Sequence, residues 1–233
     1  MTPHTFRNRR DAGRQLAVRV AALVDYSTSE HSVIVLGLPR GGVPVAYEVA
    51  KLLGAPLDVM PVRKLGMPGF EEYALGAIAA FNGDTAQILN EEALRQHPEA
   101  WLRIDQIVRQ ERIELLRRRR AYRGSRPPLH LAGLDVVLVD DGLATGATMR
   151  AAILAARQAH AHRIITAVPV ASTEACAYLR HEADACACIV ETEQMYAVGM
   201  WYDDFSPTGD QDVIDLLADA ERRSAHQLAS TTG

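Results

Sequence analysis

The stretch from Val136 to Thr148 constrains this chain more than any other. It reads Val-Val-Leu-Val-Asp-Asp-Gly-Leu-Ala-Thr-Gly-Ala-Thr. Four apolar residues, mostly β-branched, predict a buried strand with two carboxylates at its carboxyl end. A short loop of small and hydroxyl residues follows, and Met149 to Ala159 reads as an Ala-rich helix. In open α/β sheets, ligands bind outside the carboxyl ends of the strands. A loop that enters a helix N-terminus offers free backbone N–H groups to an anion. Gly146 lets the backbone come close, and Thr145 and Thr148 add hydroxyl donors. One loop can therefore present an anion cradle beside a carboxylate pair. That combination suits a sugar phosphate, with the amides and threonines on the phosphate and Asp140 and Asp141 accepting from vicinal hydroxyls.

At every position the same stretch resembles the phosphoribosyl-diphosphate (PRPP) signature of type I phosphoribosyltransferases: four apolar residues, two acidic ones, then Thr-Gly-x-Thr. The resemblance implies transfer of the 5-phosphoribosyl group of PRPP to a nitrogen heterocycle, a purine or pyrimidine base, with release of diphosphate and with Mg²⁺ as cofactor. It implies that Ala144, Thr145, Gly146, Ala147 and Thr148 grip the 5′-phosphate. Asp140 and Asp141 would lie beneath the ribose as the catalytic carboxylates.

Strands alternate with helices elsewhere too, which predicts an α/β fold with a doubly wound parallel sheet. Ser32 to Leu38 is the first core strand. Pro39-Arg40-Gly41-Gly42 follows, Pro44 suits a first helical turn, and the helix runs to about Leu53 and stops at Gly54. This segment is similar to the pyrophosphate loop of the same family, which implies that Arg40 and Gly41 meet the diphosphate. Leu57 to Val62 reads as the second strand, with Arg63 and Lys64 at its end before Leu65-Gly66-Met67-Pro68-Gly69. That loop resembles the Arg-Lys loop of adenine-type members, which closes over the diphosphate. Met67 stands where those members often carry a further lysine, so adenine is not implied. Leu75 to Phe81 and Gln87 to Leu89 read as short strands around Asn82-Gly83.

Residues 91–123 predict a helical insertion with a break near His97-Pro98. Trp101, Ile104, Val108 and Leu115 form one apolar stripe, either core or the contact of a homodimer. Arg117 to Arg120 either complement the helix dipole or wall the diphosphate. Arg163 to Val170 is the next strand, Ser172 caps a helix to His181, and Asp184 to Val190 is the last core strand. At the other end, Asp11 to Tyr26 reads as a helix capped by Asp11, with Arg7, Arg9 and Arg10 either facing a phosphate or, as the preferred reading, at a solvated end.

Glu191 to Pro207 concentrates Tyr196, Trp201, Tyr202 and Phe205 in a loop-like stretch. It resembles the hood of the hypoxanthine-guanine branch: an aromatic residue, one spacer, Val-Gly, three residues, then an aspartate. The likeness implies that Tyr196 stacks on the acceptor and that Asp203 lies near the metal and diphosphate. Trp201 is the rival for the stacking role. The expected organisation is a single phosphoribosyltransferase-like domain over 1–233, with a core at about 31–190 and a small hood at 191–209. Asp210 to Arg223 closes it as a helix, followed by a frayed tail.

A net charge of −4 offers no bulk basicity for nucleic acid, and no apolar stretch reaches membrane-spanning length. Cys176, Cys186 and Cys188 are odd in number and read as buried free thiols, as expected in the cytoplasm. A PRPP- or nucleotide-binding regulator without catalysis is the alternative to an enzyme.

Overall fold

The computed structural model describes residues 5–24, 32–67, 70–81 and 84–231. The chain opens with α1 (Arg9–Ala21), β1 (Val33–Gly37), α2 (Gly42–Leu53) and β2 (Leu57–Val59). Next come β3 (Val62–Met67), β4 (Phe70–Phe81) and β5 (Asp84–Leu89), then α3 (Glu91–Gln96), α4 (Pro98–Trp101) and α5 (Ile104–Arg123). β6 (Asp135–Val139), α6 (Ala147–Gln158), β7 (Arg163–Ser172), α7 (Thr173–Glu182) and β8 (Ala185–Thr192) follow. A 3₁₀ turn at Val198–Trp201 leads to α8 (Asp210–Thr231).

Five strands form a parallel sheet in the order β2-β1-β6-β7-β8, the doubly wound α/β fold expected. The chain winds outward from β1 to β2, then returns on the other side of β1 as β6. The winding direction therefore reverses between β1 and β6. Their register runs from Val33 opposite Asp135 to Gly37 opposite Val139, so the two strands end level. Both faces of the sheet are covered, which explains why its strands are nearly all apolar. Val35, Val137, Val139 and Ile165 pack against α1, α2 and α8. Ile34, Leu36, Val136, Leu138 and Ile164 pack against α6 and α7.

The strand expected over Leu57 to Val62 is split in two. β2 stops at Val59, and after Met60 comes Pro61, which has no N–H to donate to a ladder. The chain then enters a separate antiparallel sheet in the order β3-β4-β5. Arg63 and Lys64 thus lie inside β3, opposite Ile78 and Ala77, and not in a loop beyond the strand. The two short strands expected there are longer, and their turn at Asn82-Gly83, like Pro68-Gly69, lies outside the described residues.

The small sheet has two apolar faces. Ala77 and Ala79 turn toward the main core beside α6. Ile78 and Ala80 turn the other way, into a second core with Leu65, Leu94, Ile104, Ile107 and Leu115. The helical insertion is therefore a cover for this sheet. Its stripe differs from expectation in one member: Trp101 is 51% exposed, and Ile107 is buried in the stripe. In the arginine run, Glu114 accepts from Arg117 at 2.7 Å and from Arg118 at 2.8 Å. These hydrogen bonds, Arg117 first, bring the Glu114 carboxyl down to about 2. Two of the four arginines are thus engaged on their own helix.

The ends correct two expectations. Asn8, not Asp11, caps α1: its side chain accepts from the Asp11 amide at 3.0 Å. Asp11 sits buried in the first turn and takes the Arg7 guanidinium at 2.7 Å. α8 continues through Arg223 to Thr231. The α2 stop at Gly54, with φ 65°, and the Ser172 cap of α7 are as expected.

Where α5 meets β2, Arg123 and Asp58 form a buried pair, with Nε 3.0 Å from Oδ1 and Nη2 donating to the Pro127 carbonyl at 2.7 Å. Removing one member strands the other charge. Arg123→Met is therefore expected to lower unfolding free energy by about 3–5 kcal/mol. Arg123→Met with Asp58→Leu should recover most of that loss. Urea unfolding of the three proteins checks it, and a double variant as unstable as Arg123→Met contradicts it.

Candidate active site

The β1 and β6 loops leave the sheet side by side, at the point where the winding reverses. Open α/β sheets bind ligands at such a point. Leu38 donates to the Val139 carbonyl at 2.8 Å, so the pairing extends one residue past β1. Residues 39–41 then turn, with a cis peptide between Pro39 and Arg40, and α2 begins at Gly42. The contact with the acidic pair is close. A Cβ on Gly41 would lie 2.0 Å from Asp141 Oδ2, so only glycine leaves that oxygen its place.

From β6 the chain runs through Asp140 and Asp141 to Leu143, which pairs with Ala171 at the end of β7. Ser172 Oγ donates to the Ala144 carbonyl at 2.8 Å and pins the loop there. Gly146 takes φ 72°, a left-handed conformation that disfavours other residues, and α6 starts directly after it. Thr145 is exposed, and Ala147 and Thr148 are half-buried. The first amides of α6 have no partner within the helix and point out of its N-terminus. The expected cradle from Ala144 to Thr148 is thus an anion-competent helix entry beside Asp140 and Asp141.

The two carboxylates differ. Asp140 Oδ1 accepts from the Asp141 amide at 2.9 Å. Burial of its carboxyl, then the neighbouring Asp141 charge, pushes Asp140 well above the usual carboxylate range. Asp141 is held from three sides. Arg9 Nε meets its Oδ2 at 2.8 Å, the Gly41 backbone packs against it, and the Tyr202 hydroxyl donates to its carbonyl at 2.5 Å. Burial, and then the Asp141 charge, raises the Tyr202 phenol well above its ordinary range.

Other expected residues lie farther out. Arg40 is half-exposed and pairs with Asp210 at 3.8 Å, at the start of α8. Arg63 pairs with Glu111 of α5 at 2.6 Å, and Lys64 is half-buried beside it in β3. Tyr196 is 80% exposed, Trp201 half-buried and Asp203 exposed, its amide donating to the Phe6 carbonyl at 2.8 Å. Sequence reasoning missed Arg9 and Tyr202. Arg9 lies at the start of the N-terminal helix, 132 residues from its partner, and was expected at a solvated end. Among the described residues, no group of three or more His, Cys, Asp or Glu could hold a metal ion. No helix there is long and apolar enough to cross a membrane.

The raised Asp140 carboxyl has a consequence for stability. The unfolded group releases its proton near 3.8, the folded one only at higher pH. Between those values the native state holds the extra proton, so stability falls as pH rises, and the cost persists above both. Asp140→Asn removes the charge and keeps the shape. It should melt above the wild type at pH 7, by about 2–4 °C per kcal/mol recovered in a chain of this size. The gain should vanish as pH drops below about 4. Melting curves at both pH values test this, and a lower melting temperature at pH 7 contradicts it.

The family model described as the phosphoribosyl transferase domain matches residues 12–203. Two Mycobacterium tuberculosis proteins, each named "Putative phosphoribosyl transferase", are 44% identical over 218 residues, 93% of this chain. The chain spans 47% of the length of either. The crystal structure of TT1426 from Thermus thermophilus is 42% identical, covers 92% of this chain and 98% of its own, and superposes with a TM-score of 0.75. With the signature loop in place at the winding reversal of a parallel sheet, and the matched region taking in all the strands and helices α2 to α7, the chain belongs to the phosphoribosyl transferase domain family.

Proposed function

We propose that this chain transfers the 5-phosphoribosyl group of PRPP to a purine or pyrimidine base and releases diphosphate. The observation that carries the reading is the meeting of two loops: Gly41 against Asp141, beside the helix entry at Gly146. Thr145 and the amides from Gly146 to Thr148 hold the 5′-phosphate, far from the reacting carbon. Binding energy from that remote group orients the reacting end. Cleavage at the anomeric carbon builds positive charge on the ribose ring, and Asp140 and Asp141 below it stabilise that charge. No covalent nucleophile is needed.

Arg40 and Gly41 take the diphosphate, assisted by Arg63 and Lys64. Arg40 first exchanges Asp210 for the ligand, at little cost, because exposed ion pairs contribute roughly 0–1 kcal/mol. Mg²⁺ prefers hard oxygen ligands and keeps several waters. The exposed carboxylate of Asp203 fits that donor chemistry and would be the chain's own ligand to the ion. The ion supplies charge neutralisation to the departing diphosphate. Three free thiols accord with a reducing cytoplasm.

A panel of purine and pyrimidine bases incubated with PRPP and Mg²⁺ should show diphosphate release with at least one base. Asp141→Asn should lower kcat by far more than it weakens PRPP binding, because the developing charge exists only in the transition state. PRPP binding without diphosphate release from any base would favour the regulator.

The hood generates a second expectation. Tyr196 presents a free ring face, and an aromatic stack contributes about 0.5–1.5 kcal/mol beyond area burial. Tyr196→Leu should weaken the nucleotide product by roughly threefold to tenfold and leave diphosphate binding unchanged. Trp201→Leu is the comparison. If that variant carries the whole loss, the stacking role belongs to Trp201, and the Asp203 assignment falls with the alignment that placed both.

A further inference from the structure

We propose that Arg9 is a positioning residue for the site, fixing the Asp141 carboxylate so that one defined oxygen meets the ribose. The inference rests on the ribosyl-transfer reading above and adds to it a residue outside every motif of the chain.

Arg9 is the first residue of α1, and its side chain is only 11% exposed. Its guanidinium is used on three sides. Nε meets Asp141 Oδ2 at 2.8 Å, Nη1 donates to the Ser206 carbonyl at 2.8 Å, and the plane lies 3.8 Å from the centre of the Phe205 ring. An arginine fork held at separate points cannot swing, unlike an ammonium on a flexible stem. The segment that carries it is also fixed. The Phe6 amide donates to the Trp201 carbonyl at 2.8 Å, and the Asp204 amide donates to the Arg7 carbonyl at 3.0 Å.

The consequence falls on Asp141. Oδ2 is taken by Arg9 and hemmed in by Gly41. Oδ1 becomes the oxygen that accepts from a ribose hydroxyl. Without Arg9 the carboxylate is free to rotate and stands beside Asp140 with no compensating charge. Arg9 also tempers the repulsion that raises Asp140. The 5′-phosphate cradle shares none of these contacts, so loss of Arg9 acts on ribose recognition and leaves phosphate recognition intact.

Titration calorimetry with ribose 5-phosphate and with inorganic phosphate separates the two. Arg9→Met should weaken ribose 5-phosphate about tenfold, the scale of one charge-assisted hydrogen bond, and leave inorganic phosphate within about threefold. Arg9→Lys keeps a charge near Asp141 but loses the fork that also grips the Ser206 carbonyl and stacks on Phe205, so it should weaken ribose 5-phosphate several-fold, between the wild type and Arg9→Met, and leave inorganic phosphate within about threefold. Asp141→Asn should weaken ribose 5-phosphate as Arg9→Met does, and the double variant should be no worse than either alone, because both act through one carboxylate. Equal weakening of both ligands in Arg9→Met, or additive losses in the double variant, overturns the proposal in favour of a purely structural role. If Arg9→Met does not fold, Arg9→Lys carries the test: wild-type affinity for ribose 5-phosphate, or equal weakening of both ligands, overturns the proposal. A wild type that binds ribose 5-phosphate no tighter than phosphate removes the ribosyl-transfer reading itself, an outcome distinct from a failure of Arg9 alone.

Discussion

Parallel pairing of β1 with β6 is the constraint on which the rest of the site depends. Gly37 and Val139 end the ladder opposite each other, so both strands release their loops at one height. The reversal of winding between them opens a crevice there, since the helices that follow lie on opposite faces. α2 lies on one face and α6 on the other. Their N-termini, reached through Gly42 and Gly146, therefore approach the same acidic pair from two directions. Both faces are buried, so a slip of one residue would move each apolar side chain into the opposite packed core, where the space is shaped for a different residue. Packing thus fixes the register, and the register sets the spacing of the loops.

That geometry puts like charges together in a poorly solvated place. Burial and repulsion make Asp140 a standing cost to the folded state, even though the Asp141 amide donates to it, whereas the Asp141 carboxylate has the Arg9 guanidinium beside it. Natural proteins carry such costs at functional sites and offset them elsewhere. Here the offsets are visible in the long apolar strands and in the second core beneath α5. The small antiparallel sheet shares that burden. It buries one face on the main core and one on the insertion, so Arg63 and Lys64 sit on a supported strand.

What the sequence revealed and what it hid divide along physical lines. Local signals worked. Apolar runs marked β1, β6, β7 and β8, Gly54 marked a helix end, Ser172 marked a cap, and the Asp140-to-Thr148 loop marked the candidate site. Long-range matters did not show. Pro61 marks a break in the run from Leu57 to Lys64, since it has no N–H for a ladder, but nothing local says that the chain then enters a separate sheet, because an apolar run looks the same in either sheet. Asp11 and Asn8 are both good caps; in the structure Asn8 accepts from the Asp11 amide, and the Asp11 carboxylate takes the exposed Arg7 guanidinium instead. Arg7, Arg9 and Arg10 look alike in sequence. Their partners, Asp11, Asp141 and Glu48, lie 4, 132 and 38 residues away, and the last two are found only by tertiary packing.

The same packing explains the unusual hood. Its aromatic residues exceed what stacking on a single ring requires, and the structure divides them by task. Tyr202 is buried against Phe6 and Phe205, at ring separations of 5.5 and 5.0 Å, and its hydroxyl reaches the Asp141 carbonyl. Phe205 lies against the Arg9 guanidinium, and Trp201 accepts the Phe6 amide through its backbone. These three bind the hood to the N-terminal segment and, through Arg9, to the acidic pair. Tyr196 alone among the four stands 80% exposed, with its ring unspent on the fold. The added aromatic bulk after Val198-Gly199 thus belongs to hood anchorage, and Tyr196 is the ring of the four that this anchorage leaves uncovered.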